Sequence, residues 1–198
     1  MEIVKILDDI KNLPQLMRMA VGESIAEKTF THEFSPPADP NSAAKILDFF
    51  GVEDKAFLEF YSYSNGVRLF HNETENDDTG KYFLPAVSLF PIDRLNIETD
   101  SFKQWFEHVD EHDRPIYATG LVIGEPTETG NHFVLILSGD LKGKIFFHDH
   151  DDCDWDDKPF AESLYDFLES LTYPPFKVLQ QLHGTDWVEM NNPKSKTA

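Results

Sequence analysis

The chain has one cysteine, Cys153, in 198 residues. An intrachain disulfide is therefore excluded and packing alone must hold the fold, which suits a reducing compartment. Long apolar runs are missing too: nothing approaches the ~18 consecutive apolar residues of a membrane-spanning helix. The opening MEIVKILDDIKNL places Glu2, Asp8 and Asp9 where a secretory leader has a basic start followed by an apolar core. The expected location is cytoplasmic, with no membrane contact. Positive charge is also scarce. Against 36 Asp+Glu stand 17 Lys+Arg, a net charge of -19. Such a field repels nucleic acid and anionic membranes and attracts basic proteins. Catalytic signatures are missing as well. No GxSxG occurs, and Gly120 to Gly124 has neither the lysine nor the spacing of a phosphate loop. Carboxylates around Cys153 disfavour its thiolate. The expectation is a non-enzymatic chain without a cofactor.

Apolar residues make up 40% of the chain, with 17 Phe. That is enough for a core, so the acidity is not the mark of a disordered chain. Ile3, Ile6, Leu7 and Ile10 recur at helical spacing. Residues 14–41 are weakly patterned, and 35–40 (SPPADP) read as a loop. Ser42 can cap a helix carrying Ile46, Leu47, Phe49 and Phe50 that stops at Gly51. A second helix over 53–62 meets the turn Ser64-Asn65-Gly66, followed by a short strand over 67–70. Residues 71–80 (HNETENDDTG) read as an acidic loop. Residues 82–90 read as a strand that Pro85 weakens, and 92–110 as a helix presenting Phe102, Trp105, Phe106 and Val109. Three strands are expected over 117–123, 132–137 and 144–148, forming an antiparallel meander. Phe160, Leu164, Phe167, Leu168 and Leu171 form one helical face. Beyond Pro174 and Pro175, a last helix reaches His183, with Gly184 at its end. Helices, then grouped strands, then helices predict an α+β fold: a single, mostly antiparallel sheet of five or six strands with helices packed around it. The expected organisation is an N-terminal helical extension over 1–41, a domain over 42–185 and a disordered tail over 186–198.

The densest feature is acidic. Asp149, Asp151, Asp152, Asp154, Asp156 and Asp157 crowd between a strand and a helix with no Lys or Arg among them. Six carboxylates repel one another, so their concentration is better explained by something outside the fold. With Trp155 they form the candidate partner-binding surface, Trp155 serving as an interface anchor or as a cover for the core edge. Two metal patterns are imitated and fail. His148-Asp149-His150-Asp151-Asp152-Cys153 resembles the HxHxDH motif of metallo-β-lactamase-like hydrolases, but Cys153 stands where the last His belongs and only His183 remains downstream. Asp152, Asp154 and Asp156 imitate the start of a calcium loop, but Asp157 and Ser163 occupy the positions that require Gly and Glu. No metal site is expected. His71, His108 and His112 lie in acidic surroundings and read as surface residues.

Two segments together resemble a known family. Residues 57–70 (FLEFYSYSNGVRLF) are similar to the "fl..y...NG" helix–turn–strand element of the SUKH superfamily. Residues 143–152 (GKIFFHDHDD), running into 161–171 (AESLYDFLESL), are similar to its C-terminal strand, acidic loop and "a.sf.dfL..l" helix. The similarity spans 42–172, and residues 14–41 do not reproduce the family's N-terminal pattern. The superfamily includes fungal regulators of cell-wall assembly and bacterial immunity proteins that neutralise toxins, often nucleases, by direct binding. The resemblance implies an α+β fold, no catalysis, and a protein partner such as a toxin domain; the chain's acidity points to a basic partner, and the pattern of helices around strands to a monomer or weak dimer. Two alternatives differ in kind: a regulatory or scaffold protein with a cellular partner, and a metal-dependent hydrolase using His148, His150 and Asp152.

Overall fold

The computed structural model describes residues 2–13, 15–21, 24–76, 80–84, 86–104, 111, 113–126, 130–150, 154–155, 158–172 and 187–190. These form six helices and ten strands, an α+β architecture in which every strand pair is antiparallel.

The N-terminal helix α1 (Glu2–Lys11) buries the stripe expected of it, Ile3, Ile6, Leu7 and Ile10. Two strands follow, β1 (Leu16–Val21) and β2 (Ser24–Phe34), paired from Leu16↔Thr29 to Val21↔Ser24. The expected helical extension over 1–41 is thus helical in α1 and again only at Pro40, where α2 begins. The apolar face of α1 also belongs to the main core. Helix α2 (Pro40–Phe50) takes Asp39 as its N-cap, whose carboxylate accepts from Ser42 N at 2.8 Å, in place of the expected Ser42. Gly51 ends it in the left-handed conformation, φ 70°. Helix α3 (Lys55–Tyr63) is capped by Asp54. It leads into the Ser64-Asn65-Gly66 turn, where Asn65 Oδ1 accepts from Ile92 N at 2.8 Å. Gly66 is required there. Its φ is 95°, and a Cβ would stand 2.9 Å from Leu89 O.

Strand β3 (Val67–Asn76) runs past the expected strand end and pairs with β4 (Gly80–Leu84) from Asn72↔Leu84 to Asn76↔Gly80. Most of the segment read as an acidic loop is therefore a hairpin arm; residues 77–79 lie outside the described residues. The strand read over 82–90 divides into β4 and β5 (Val87–Leu89) on either side of Pro85, itself outside the described residues. Helix α4 (Leu95–Lys103) begins at Leu95 and not at the expected Ile92, and Trp105, Phe106 and Val109 lie outside the described residues. Residues 114–119, read partly as strand, form helix α5 (Arg114–Thr119), which has Pro115 in its first turn. Then come β6 (Gly120–Glu125), β7 (His132–Ile136), β8 (Ile145–Asp149), the two-residue β9 (Asp154–Trp155), α6 (Leu164–Ser170) and β10 (Trp187–Met190). Strand β10 pairs with β1, so residues 187–190 of the expected disordered tail are strand. The expected helix to His183, with Pro174, Pro175 and Gly184, and residues 191–198 lie outside the described residues.

The strand order is β10-β1-β2-β3-β5-β6-β7-β8-β9, with β4 on β3. Its central run, β2-β3-β5-β6-β7-β8, has six strands, within the five or six expected, and β1, β4, β9 and β10 extend the sheet beyond that expectation to ten. Successive residues Leu121, Val122 and Ile123 are all buried. A strand buried on alternating sides needs cover on both faces. Phe102 of α4 and Tyr117 of α5 stack at 4.6 Å beside His132 and His148 on one face, while Phe167 of α6 meets Phe133 edge-on at 4.9 Å on the other. Helices α1, α3 and α6 pack together, and Tyr63 Oη donates to Asp8 Oδ1 at 2.6 Å between α3 and α1.

Candidate interaction site

The acidic tract grows out of β8. In this strand Ile145 and Phe146 are buried, and His148 is 4% exposed. Alternation places Phe146 and His148 on one face of the sheet. The chain then returns through β9, in the register His148↔Trp155 and Asp149↔Asp154. Asp149 and Asp154 are thus paired on the last two strands of the sheet order. Two like-charged residue types are in register across this ladder, a pairing that in general lowers stability. Asp149 is half-buried. Asp154 and Trp155 are placed by backbone register. Asp151, Asp152, Cys153, Asp156 and Asp157 lie outside the described residues. Of the proposed surface, the structure brings together Asp149, Asp154 and Trp155.

The two histidines of the metal reading are held by other groups. His148 Nε2 is hydrogen-bonded to Tyr117 Oη, and its ring stands edge-on to Phe102 at 5.2 Å. Burial lowers its pKa to about 4, helped by nearby His132 and His150 and opposed by Asp149. His148 is thus a neutral core residue that shares a hydrogen bond with a tyrosine. His150 turns back onto the β6–β7 connection: its backbone N and its Nδ1 both donate to Asn131 Oδ1, at 3.0 and 2.7 Å. Gly130 lies against its ring, where a Cβ would come within 3.4 Å. Asp152, the third residue of that reading, is outside the described residues. Among the described residues no group of three or more His, Cys, Asp or Glu is placed to hold a metal ion.

A second histidine pair sits at the β2–β3 seam. His71, expected at the surface, is 1% exposed. His32 Nδ1 accepts from Phe70 N at 3.3 Å across a register irregularity, and Phe70 itself has φ 55°. Burial, with a smaller contribution from His71, lowers the His32 pKa to about 4. His108 and His112 lie outside the described residues.

One feature at the same end of the sheet escaped the sequence reading. Glu33↔Arg68, Arg68↔Ser88 and Ser88↔Glu125 are register pairs across β2, β3, β5 and β6. They form a row of side chains with one small member, Ser88. A cavity of about 300 Å³ opens there, lined by Arg68, Ser88, Phe90, Arg94 and Glu125 among others. Gly124 keeps β5 and β6 close at this point, since a Cβ would fall 2.1 Å from Ser88 O.

Compared with known proteins, the chain matches no family model and no curated protein.

Proposed function

We propose that the chain is a non-enzymatic binding protein of the SUKH type, an immunity protein that neutralises a basic toxin domain by covering it with an acidic surface. The observation that carries the reading is the Asp149↔Asp154 register pair, in a stretch, 149–157, whose sequence holds six aspartates and no Lys or Arg. Opposed like charges cost stability, and a basic partner relieves that cost. A toxin that attacks nucleic acid needs a basic cleft, and opposite charge speeds encounter with such a cleft. The resemblance over 42–172 supports the same class. In this reading Asp149, Asp151, Asp152, Asp154, Asp156 and Asp157 set the association rate, and Trp155 is the anchor.

A pull-down with the purified chain, read beside its gene neighbourhood, tests the proposal. Recovery of a basic toxin domain encoded next to the chain, in a complex that weakens as salt rises, is the expected result. Recovery only of a resident cellular protein, or a complex indifferent to replacement of the aspartates, overturns it.

A further inference from the structure

We propose that the cavity between β3, β5 and the start of α4 is a binding site for a carboxylate on a small apolar body, separate from the acidic hairpin. The chain has only four arginines, and two of them, Arg68 and Arg94, line this one space of about 300 Å³. Both are accessible, with side chains 45% and 48% exposed. The Arg94 guanidinium lies over the Phe90 ring, 4.3 Å from its centroid, which fixes its plane. Its Nε and Nη2 both point to Glu98 Oε1. Nη1 has no protein partner among the described residues, and an arginine fork has five donors in a fixed geometry. A held guanidinium with a donor edge to spare is suited to a planar carboxylate. Arg68, in the strand beside it, supplies the second positive charge; its nearest approach to Glu33 is 3.8 Å.

The surrounding charges narrow the class. Each arginine already has a glutamate beside it, and Glu125 lines the same cavity. Arg68 and Arg94 against Glu33, Glu98 and Glu125 leave a formal charge of -1, so the directed donors of the arginine fork, and not net charge, must hold the ligand, and a dianion is opposed more strongly than a monoanion. Phe90, Leu89 and Pro91 supply apolar wall, which favours a short hydrocarbon body behind the carboxylate. The field of the whole chain opposes anions, but it is screened beyond ~8 Å at physiological ionic strength. The local forks therefore decide binding.

The experiment is an amide-resolved NMR titration of the full chain at physiological salt. Four probes are used: 3-methylbutanoate, its uncharged amide 3-methylbutanamide, inorganic phosphate, and N-acetylglutamate amide, which carries the carboxylate on a peptide side chain. Saturable shifts at Val67, Arg68, Ser88 and Leu89 with the carboxylates are expected, with none from 3-methylbutanamide. Arg94→Gln and Arg68→Gln should each weaken binding about tenfold or more, the scale of a lost charge-assisted pair. Arg68→Lys, which keeps the charge, should lose less. Tighter binding of 3-methylbutanoate assigns the site to a free acid; tighter binding of N-acetylglutamate amide assigns it to an acidic side chain of a partner. Equal response to 3-methylbutanamide, equal or tighter binding of phosphate, unchanged affinity in Arg94→Gln, or no saturable shift with either carboxylate each overturns the proposal. The arginines are half-exposed, so their replacement should leave the dispersed spectrum intact. If one variant fails to fold, the comparison of the four probes on the unmodified chain still decides.

Discussion

Strands β6–β7 and the hairpin β8–β9 are neighbours in one sheet and follow opposite rules. In the first, every side chain from Leu121 to Ile123 and from Phe133 to Ile136 is buried, with Phe102 and Tyr117 on one side and Phe167 on the other. In the second, the ladder ends by setting Asp149 against Asp154. One region is arranged for stability, and the other gives some up. His148 lies at the junction. It is buried and neutral, bonded to Tyr117, and one residue away from the first aspartate of the tract. What separates a core residue from an interface candidate here is one step along a strand.

The comparison breaks most visibly by emptying the interior. Phe167→Ala removes a fully buried ring that meets Phe133 and Phe160. A loss of about 3–5 kcal/mol is expected from denaturant unfolding; a loss below 1 kcal/mol would mean that α6 does not close the core. Acid should act on the interior next. The folded pKa values of His32 and His148 are lowered to about 4 from an ordinary 6.5. Between those values the unfolded chain binds more protons than the folded one. The stability these neutral histidines contribute is complete above pH 6.5 and is lost as pH falls toward about 4, at up to about 1.4 kcal/mol per pH unit for each. Equilibrium unfolding at several pH values reads the slope, and His148→Phe should flatten it. A slope unchanged in that variant would assign the acid response to other groups.

The hairpin should respond in rates and not in stability. Trp155→Ala is expected to speed dissociation from the partner by an amount equivalent to roughly 2 kcal/mol if Trp155 is an anchor. A lowered melting temperature with unchanged kinetics would move it to the core. The smallest effect on stability belongs to Asp154→Asn combined with Asp156→Asn, expected to change unfolding by no more than about 0.5 kcal/mol, in the stabilising direction. Association should slow at low salt, and the difference should fade as salt rises. Unchanged association at low salt would leave the acidity as a solubility device.

Elements with strong local patterns were legible in the sequence. The four-residue stripe of α1, the Asn65-Gly66 turn, β7, β8 and the face of α6 all carry periodicity or turn chemistry within a few residues. Strands β1 and β2 were not legible, because Leu16 to Phe34 mixes charged and apolar residues and depends on the ladder between its arms. For the same reason the polar arm 71–76 of β3 looked like a loop: its partner, β4, satisfies its backbone. Helix α5 is too short to show a helical period, and Tyr117 suits a strand as well as a helix. Part of the site was in view. His148 shares strand parity with Phe146, which already places it inside. Its bond to Tyr117, and the row Glu33, Arg68, Ser88 and Glu125, depend on register between distant strands, which no local window contains.

Strand β9 has two residues, one of them Asp154. An open sheet presents unpaired backbone donors and acceptors at its last strand, and a long apolar margin recruits further chains. Here the described margin is two residues long and begins with an aspartate in register with another, so an approaching copy of the same edge meets like-charged sequence and little backbone to pair with. The short, acidic margin proposed above as the surface for a basic partner would also disfavour fibre-like pairing of two copies along this edge.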